Sequence, residues 1–498
     1  MASILYSFSA VAAVLAAGVG VGSKILPQKV AEAQPAAAPA AVVQAPAPSL
    51  GAQQTAQMRQ ALEQAPAHGF APHEFTPPGL DGLLASTDPA QRQRGEVLLK
   101  TAVLRYAAAV HRGRLNAGDF DDEWGLRPAA YDPAPGLEAA LATNRLQPWL
   151  DGQAPAYDGY RDLMKGLAAY RGIAARGGWQ PLPAGPALRQ GMHDPRVPLL
   201  RARLAAEDPS VMPGAASDTM MDAKLTEALK TFQLRHGLTG DGELGKPTLA
   251  ALNVPVEERI AQISANMERW RWMPAQLPAD RIQVNIAAAQ VVVYQGGQEA
   301  LTMKAAPGRP TDHTPMLMSQ VRGVVINPPW NIPDSIAKKE ILPKEHANPG
   351  YMEREDIHWV PNGSGQRLQQ AAGPKSALGQ IKFDFDNKYG VYLHDTPSRA
   401  AFEKSGRMVS HGCVRLEKPK DLAALLLNGQ GEWNPELIDA KIEAGDTEHV
   451  ALSRPVSVFL LYWTAFTGPD GAMNFAKDSY DWDHELLQKI SGQKYSNA

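Results

Sequence analysis

The sequence predicts an α+β protein of several domains, helical in its first half and β-rich in its second. Three observations predict it. Apolar residues recur at helical spacing from about residue 58 to 254, alternation replaces that period from about residue 281, and an Ala/Pro-rich stretch precedes the folded part. A chain of 498 residues has room for about two to four domains. Its 49 Lys and Arg against 52 Asp and Glu leave a net charge of −3, so no positive field exists to drive bulk nucleic-acid binding. The lone cysteine, Cys413, excludes an internal disulfide framework.

At the N-terminus, Ile4, Leu5 and an Ala/Val/Gly-rich run to Gly22 precede the first charged side chain, Lys24. Residues 1–33 read as an export signal with a small-residue cleavage site at Ala31-Glu32-Ala33. The missing basic residues and the distance of that site from the apolar run keep an uncleaved anchor as the alternative. Residues 34–57 are Ala, Pro and Gln, too poor in large apolar side chains to offset their ordering entropy, and read as an extended tether. An exported chain with one unpaired thiol implies that the thiol is deeply buried or chemically used.

Residues 58–190 read as a helical domain. Tyr160, Leu163, Met164, Leu167 and Tyr170 form an i, i+3, i+4, i+7 stripe, and Gly177-Gly178 with the prolines from Pro181 to Pro186 close the region. Residues 193–254 form a separate three-helix module. Its apolar positions are Val197, Leu200 and Leu204, then Leu225, Leu229 and Phe232, then Leu249 and Leu252. Phe232-Gln233, Gly237-Leu238, Asp241-Gly242, Gly245 and Thr248-Leu249 make this stretch resemble the three-helix peptidoglycan-binding module. A three-helix spacer that binds nothing is the alternative, since those positions are mostly turn and core.

From about residue 281 short strands alternate: Ile282–Ile286, Val291–Tyr294 leading into Gly296-Gly297, Val324–Ile326, Ile381–Phe385, Val391–Leu393 and Val456–Leu461. They mark a β-rich domain over 281–467, followed by a C-terminal segment, 468–498. Residues 327–379 are irregular and rich in Pro and Gly, a length of loop that usually covers a site, and read as a lid.

The chemistry concentrates at His394 and at Ser410-His411-Gly412-Cys413-Val414-Arg415. A nucleophilic thiol needs a base, oxyanion donors and a route for substrate. His394 at a strand end supplies a base, the Gly412 and Cys413 amides an oxyanion hole, and Arg415 a positive charge for thiolate or substrate carboxylate. His411 competes as base or orients the thiol. A zinc site built from His394, Asp395, His411 and Cys413 is the chemical alternative, although no second Cys or compact His pair supports it.

With Tyr392-Leu393-His394-Asp395-Thr396, Asn327-Pro328-Pro329-Trp330 and Leu460-Leu461-Tyr462-Trp463, these motifs resemble the YkuD-type L,D-transpeptidases, in particular the large scaffold-containing members of Gram-negative bacteria. The one departure is Asp395, where many members carry Gly. The resemblance implies a β-rich YkuD catalytic domain with a lid, a helical scaffold domain and a peptidoglycan-binding module. It implies that Cys413 attacks the third residue of a tetrapeptide stem, that D-Ala leaves, and that the side-chain amine of another stem resolves the thioester into a 3→3 cross-link. Cys413, His394 and Gly412 would be catalytic; Tyr392, Arg415, Trp330, His411 and Ser410 would bind substrate. No metal or organic cofactor is implied, and carbapenems would acylate the cysteine. The implied partners are peptidoglycan stem peptides and other cell-wall synthesis enzymes, in the periplasm, with membrane contact only through an N-terminal anchor. The same thioester could instead be hydrolysed, exchanged with a D-amino acid or passed to a protein lysine. A non-enzymatic wall-binding scaffold is the alternative of another class.

Overall fold

A computed structural model describes residues 49–496 apart from Pro213 and Ala216. The expected export signal and most of the expected tether lie outside these residues. Among them, no helix is long and apolar enough to cross a membrane.

The first helix, Ala52–Glu63, begins inside the stretch expected to be tether. Beyond Pro48 no proline interrupts the backbone until Pro66, and Gln54 accepts a hydrogen bond from the Gly51 N–H at 3.1 Å, closing the first turn. Met58, Ala61 and Leu62 are buried in the core shared with the long helix Pro89–Arg112. That second helix starts where Asp88 accepts from the Ala90 N–H at 2.9 Å, with Pro89 at its first position.

The three-helix module comprises Val197–Ala205, Ala223–Arg235 and Lys246–Leu252 around a core of its own. Gln233 is buried at its centre. Its amide nitrogen donates to Asp241 (2.7 Å), the Glu243 carbonyl (3.0 Å) and Thr248 (3.0 Å), and its oxygen accepts from the Gly242 N–H (2.8 Å). The Phe-Gln and Asp-Gly residues of the module's motif thus close its turn.

A helix absent from the sequence reading, Val256–Trp270, joins the halves of the chain. Glu257 and Glu258 are exposed, but the polar residues further along are buried and reach partners on other elements. Gln262 donates to the carbonyls of Thr464 (3.0 Å) and Ala476 (2.9 Å), and Asn266 to the Thr464 hydroxyl (2.6 Å). Arg269 pairs with Asp483 near the C-terminus, while Glu268 pairs with Arg114 of the helical domain at 3.3 Å.

The β-rich part is a closed eight-stranded barrel. β1 (Arg281–Asn285), β2 (Gln290–Gln295), β3 (Gln298–Ala306) and β4 (Leu317–Ile326) precede the lid. The lid contributes β5 (Trp330–Asn331), β6 (Ile357–Asn362) and β7 (Gly365–Gln370). β8 (Ile381–Phe385), β9 (Leu393–His394), β10 (Val414–Leu416) and β11 (Glu448–Leu461) complete the barrel, in the order β1-β11-β4-β8-β9-β10-β3-β2. Alternate residues such as Ile381, Phe383, Leu393, Val414 and Leu416 fill the interior.

The structure corrects the expectation for the lid and gives the C-terminal segment a place in the fold. Residues 327–379 are not irregular: β5, β7 and β6 form a three-stranded sheet, flanked by helical turns over Asp334–Ala347, around Ile332, Ala337, Ile341, Ile357 and Leu368. Prolines at the element starts and glycines in the turns, such as Gly363 between β6 and β7, punctuate this small fold rather than prevent it. The C-terminal segment is also no appendage. β12 (Ala465–Thr467) pairs with β13 (Met473–Phe475), and the helix Trp482–Ser496 buries Trp482, Leu486 and Ile490 in the main core.

Candidate active site

On the barrel's outer face, β8, β9 and β10 lie side by side and their register fixes the site. Lys382 of β8 is directly opposite His394 of β9, and His394 is opposite Arg415 of β10. Cys413 stands one residue before β10, whose Val414 pairs with Leu393, and so falls beside Tyr392. Since side chains alternate across a strand, Cys413, Arg415, Tyr392, His394 and Lys382 share one face while Val414, Leu393 and Phe383 enter the barrel. The structure thus brings Cys413, His394, Tyr392 and Arg415 together as neighbours.

The loop that presents the thiol is held from below. Ser410 is buried; its hydroxyl donates to the Cys413 carbonyl and accepts from the Gly412 N–H at 3.1 Å. Ser410 therefore shapes the loop and faces inward rather than toward a substrate, and the Gly412 amide is engaged. No hydrogen bond among the described residues engages the Cys413 N–H. Gly412 has φ 111°, and a Cβ there would crowd the His313 carbonyl at 3.1 Å, so only glycine fits. The Thr314 hydroxyl donates to the Gly412 carbonyl (2.6 Å), and Tyr480 donates to the Gly308 carbonyl (2.6 Å) just beneath. Thr314 and Tyr480 carry no signal in the sequence, because they lie far from the motif in the chain.

His394 is 4% exposed. Burial, with the nearby charges of Arg415 and Lys382, pushes its ring down to about 3. Its Nδ1 has no partner at hydrogen-bonding geometry; the backbones of Leu378, at the end of the lid, and Asp395 favour a proton on the ring. Cys413 is half-buried, and burial pushes its thiol up, although the Tyr392 backbone and hydroxyl and the Lys382 and Arg415 charges favour the thiolate. The Tyr392 hydroxyl is kept protonated by burial and by the sulfur, and it also meets the Trp330 indole of the lid. The Tyr392 ring lies edge-on to His394 at 5.6 Å.

His411 points elsewhere. Its Nε2 is 2.5 Å from Glu340 of the lid, which Arg309 also approaches at 3.5 Å. Burial favours protonated Glu340, but the hydrogen bond and charge of His411 hold the carboxyl below its usual range. Asp395 is buried beside His394; its carboxylate accepts from the Gln380 N–H (2.9 Å) and from Arg399 (3.3 Å). A side chain at Gly379 would strike that carboxylate, which ties the lid's return to the strand carrying His394. Among the described residues no group of three His, Cys, Asp or Glu is arranged to hold a metal ion, so the zinc alternative has no geometry here.

Fold and site together define a barrel-borne catalytic domain with a cysteine at the centre of its polar face. Residues 279–441 match the family model described as the L,D-transpeptidase catalytic domain (YkuD). Residues 49–167 match a scaffold domain, and residues 193–252 a "Putative peptidoglycan binding domain". The chain thus carries a segment similar to the L,D-transpeptidase catalytic domain together with segments similar to scaffold and peptidoglycan-binding domains. Over 273 residues it is 31% identical to a curated Haemophilus influenzae protein, "Putative L,D-transpeptidase", covering 50% of this chain and 55% of that one. Similar solved structures include an L,D-transpeptidase from Mycobacterium smegmatis, 16% identical over 37% of this chain and 58% of that one, with a TM-score of 0.20. The E. faecium catalytic domain acylated by ertapenem is 13% identical over 37% and 99% of the two chains, also with a TM-score of 0.20.

Proposed function

We propose that this protein is a peptidoglycan L,D-transpeptidase working in the periplasm, with Cys413 as nucleophile and His394 as general base and acid. One observation carries the reading: a half-buried thiol and a buried imidazole stand on adjacent strands of one barrel face, beneath a folded lid. Both groups are neutral at rest, so the thiol proton moves to His394 as the sulfur attacks. The S–C bond forms at the carbonyl of the stem's third residue, and the oxyanion has the Cys413 N–H and the protonated Tyr392 hydroxyl within the same row. The C–N bond to D-Ala then breaks, and His394 returns the proton to the leaving amine. The side-chain amine of a second stem, deprotonated by His394, displaces the thiolate and completes a 3→3 cross-link. The peptidoglycan-binding module supports the wall as partner; other cell-wall synthesis enzymes are the further partners of this reading.

The test is product analysis after incubation with disaccharide-tetrapeptide. A 3→3 dimer with one D-Ala released per link supports the reading. Tripeptide alone would replace the amine acceptor with water.

A further inference from the structure

The face around the thiol carries one more feature that the reaction as described leaves unused. His394 is flanked in the same cross-strand row by two cations, Lys382 on one side and Arg415 on the other. Neighbouring strands lie about 4.8 Å apart, so the two Cα atoms stand about 10 Å from each other, and both long side chains can converge above the imidazole. Arg415 is half-buried and makes no hydrogen bond or ion pair among the described residues, and its buried Nε has no partner. An arginine removed from water without a carboxylate is costly unless something arrives to pair with it. Lys382 is held at 4.4 Å over the Tyr392 ring and at 2.7 Å from Asp384, whose own side chain is only partly exposed. The ammonium is therefore fixed beside the site, paired with a partly exposed carboxylate that contributes little and leaves its charge available to a second anion.

We propose that Arg415 and Lys382 form a two-cation seat, on either side of His394, for the α-carboxylate of the residue that leaves the acyl donor. The proposal rests on the L,D-transpeptidase reading above. The spacing fits. Cys413 lies one pleat, about 7 Å, along the strand from Arg415. With the scissile carbonyl over the sulfur, the carboxylate of the leaving residue is two atoms further on, about 4 Å away, and points toward the His394 row. Guanidinium and ammonium groups then close the remaining gap.

The seat also explains the electrostatics of the base. The charged groups facing His394 are Lys382 and Asp384 on β8, Tyr392 on its own strand, and Cys413 and Arg415 beside β10, while the Asp395 carboxylate is turned to Gln380 and Arg399. Burial first, and then the two cations, oppose a proton on the ring. A bound carboxylate offsets the cations' share of that opposition, so the donor that fits also eases the transfer of the thiol proton to His394.

The test compares two donors on the full protein: disaccharide-tetrapeptide, and the same compound with its terminal carboxylate converted to the primary amide. Thioester formation is followed by intact mass in wild type, Lys382→Met and Lys382→Arg. Wild type should acylate with the acid donor at least about tenfold faster, as kcat/KM, than with the amide. Lys382→Met should slow the acid donor about tenfold more than it slows the amide, collapsing the preference between them, and Lys382→Arg should restore it. Equal rates for the two donors in wild type, or an unchanged preference in Lys382→Met, would overturn the seat while leaving cysteine acylation standing. No adduct from either donor in wild type would overturn the acylation reading and this one with it.

Discussion

At the scale of single residues, the site is governed by where charge is allowed. Burial pushes the Cys413 thiol up and the His394 ring down to about 3, so neither begins as an ion, and the chemistry depends on proton transfer at the moment of attack. Cys413→Ala should abolish acylation and leave the melting temperature within a few degrees, because only one sulfur is removed from a half-buried position. His394→Ala should slow acylation by at least about 100-fold, the range of a lost general base. His411→Ala should slow it by only about tenfold, because His411 holds Glu340 of the lid; intact-mass time courses separate the two, and the reverse order would reassign the base. Cys413 and His394 were readable from the sequence because their neighbours are so unusual in type. Lys382 was not, since a lysine in the alternating run Ile381–Phe385 reads as an ordinary solvent-facing position. Ser410, which the resemblance implies as a substrate contact, instead supports the loop through its buried hydroxyl.

Among the elements, the lid departs most from its sequence. Its prolines and glycines hide a three-stranded sheet whose core needs only five buried apolar side chains. Such a small unit depends on its attachments, and the Glu340 contacts to His411 and Arg309 connect it to the nucleophile loop. Glu340→Gln should increase hydrogen exchange over residues 337–347 while the barrel strands stay protected. The effect on opening should be about 1 kcal/mol or less, since the pair is partly exposed. Unchanged exchange there would mean that other contacts hold the lid. β3 and β10 also escaped the sequence reading. The Gln298–Ala306 segment lacks clean alternation, and three residues of β10 are too short a window for any period.

Across the whole molecule, the helix Val256–Trp270 ties the helical domain, barrel and C-terminal segment together through buried polar side chains. In sequence its Glu, Arg, Gln and Asn residues suggest a solvated face; only the tertiary contacts show that Gln262, Asn266, Glu268 and Arg269 are paired inside. Asp483→Ala leaves Arg269 buried without its carboxylate and should cost about 3–5 kcal/mol in urea unfolding. A loss below about 1 kcal/mol would show that the C-terminal helix is dispensable to the fold. Acid should destabilise the protein for a related reason. His394 and His236 sit at about 3 and His68 at about 4, against about 6.5 when unfolded. Their depressed values favour folding fully above pH 6.5, and that contribution is lost as pH falls because the unfolded chain takes up the protons first. By pH 5 each ring removes at most about 2 kcal/mol relative to pH 7.5, so the urea midpoint should drop clearly between those values. A flat profile would contradict the buried, neutral state of these rings.

The account stands or falls on whether Cys413 carries the acyl group with His394 as its base. The most direct measurement is rapid-quench intact mass with peptide mapping after mixing with disaccharide-tetrapeptide. The expected result is an adduct equal to the donor less D-Ala on the peptide containing Cys413, absent in Cys413→Ala and strongly delayed in His394→Ala. An adduct on another residue, or one that forms at the wild-type rate without His394, would contradict it.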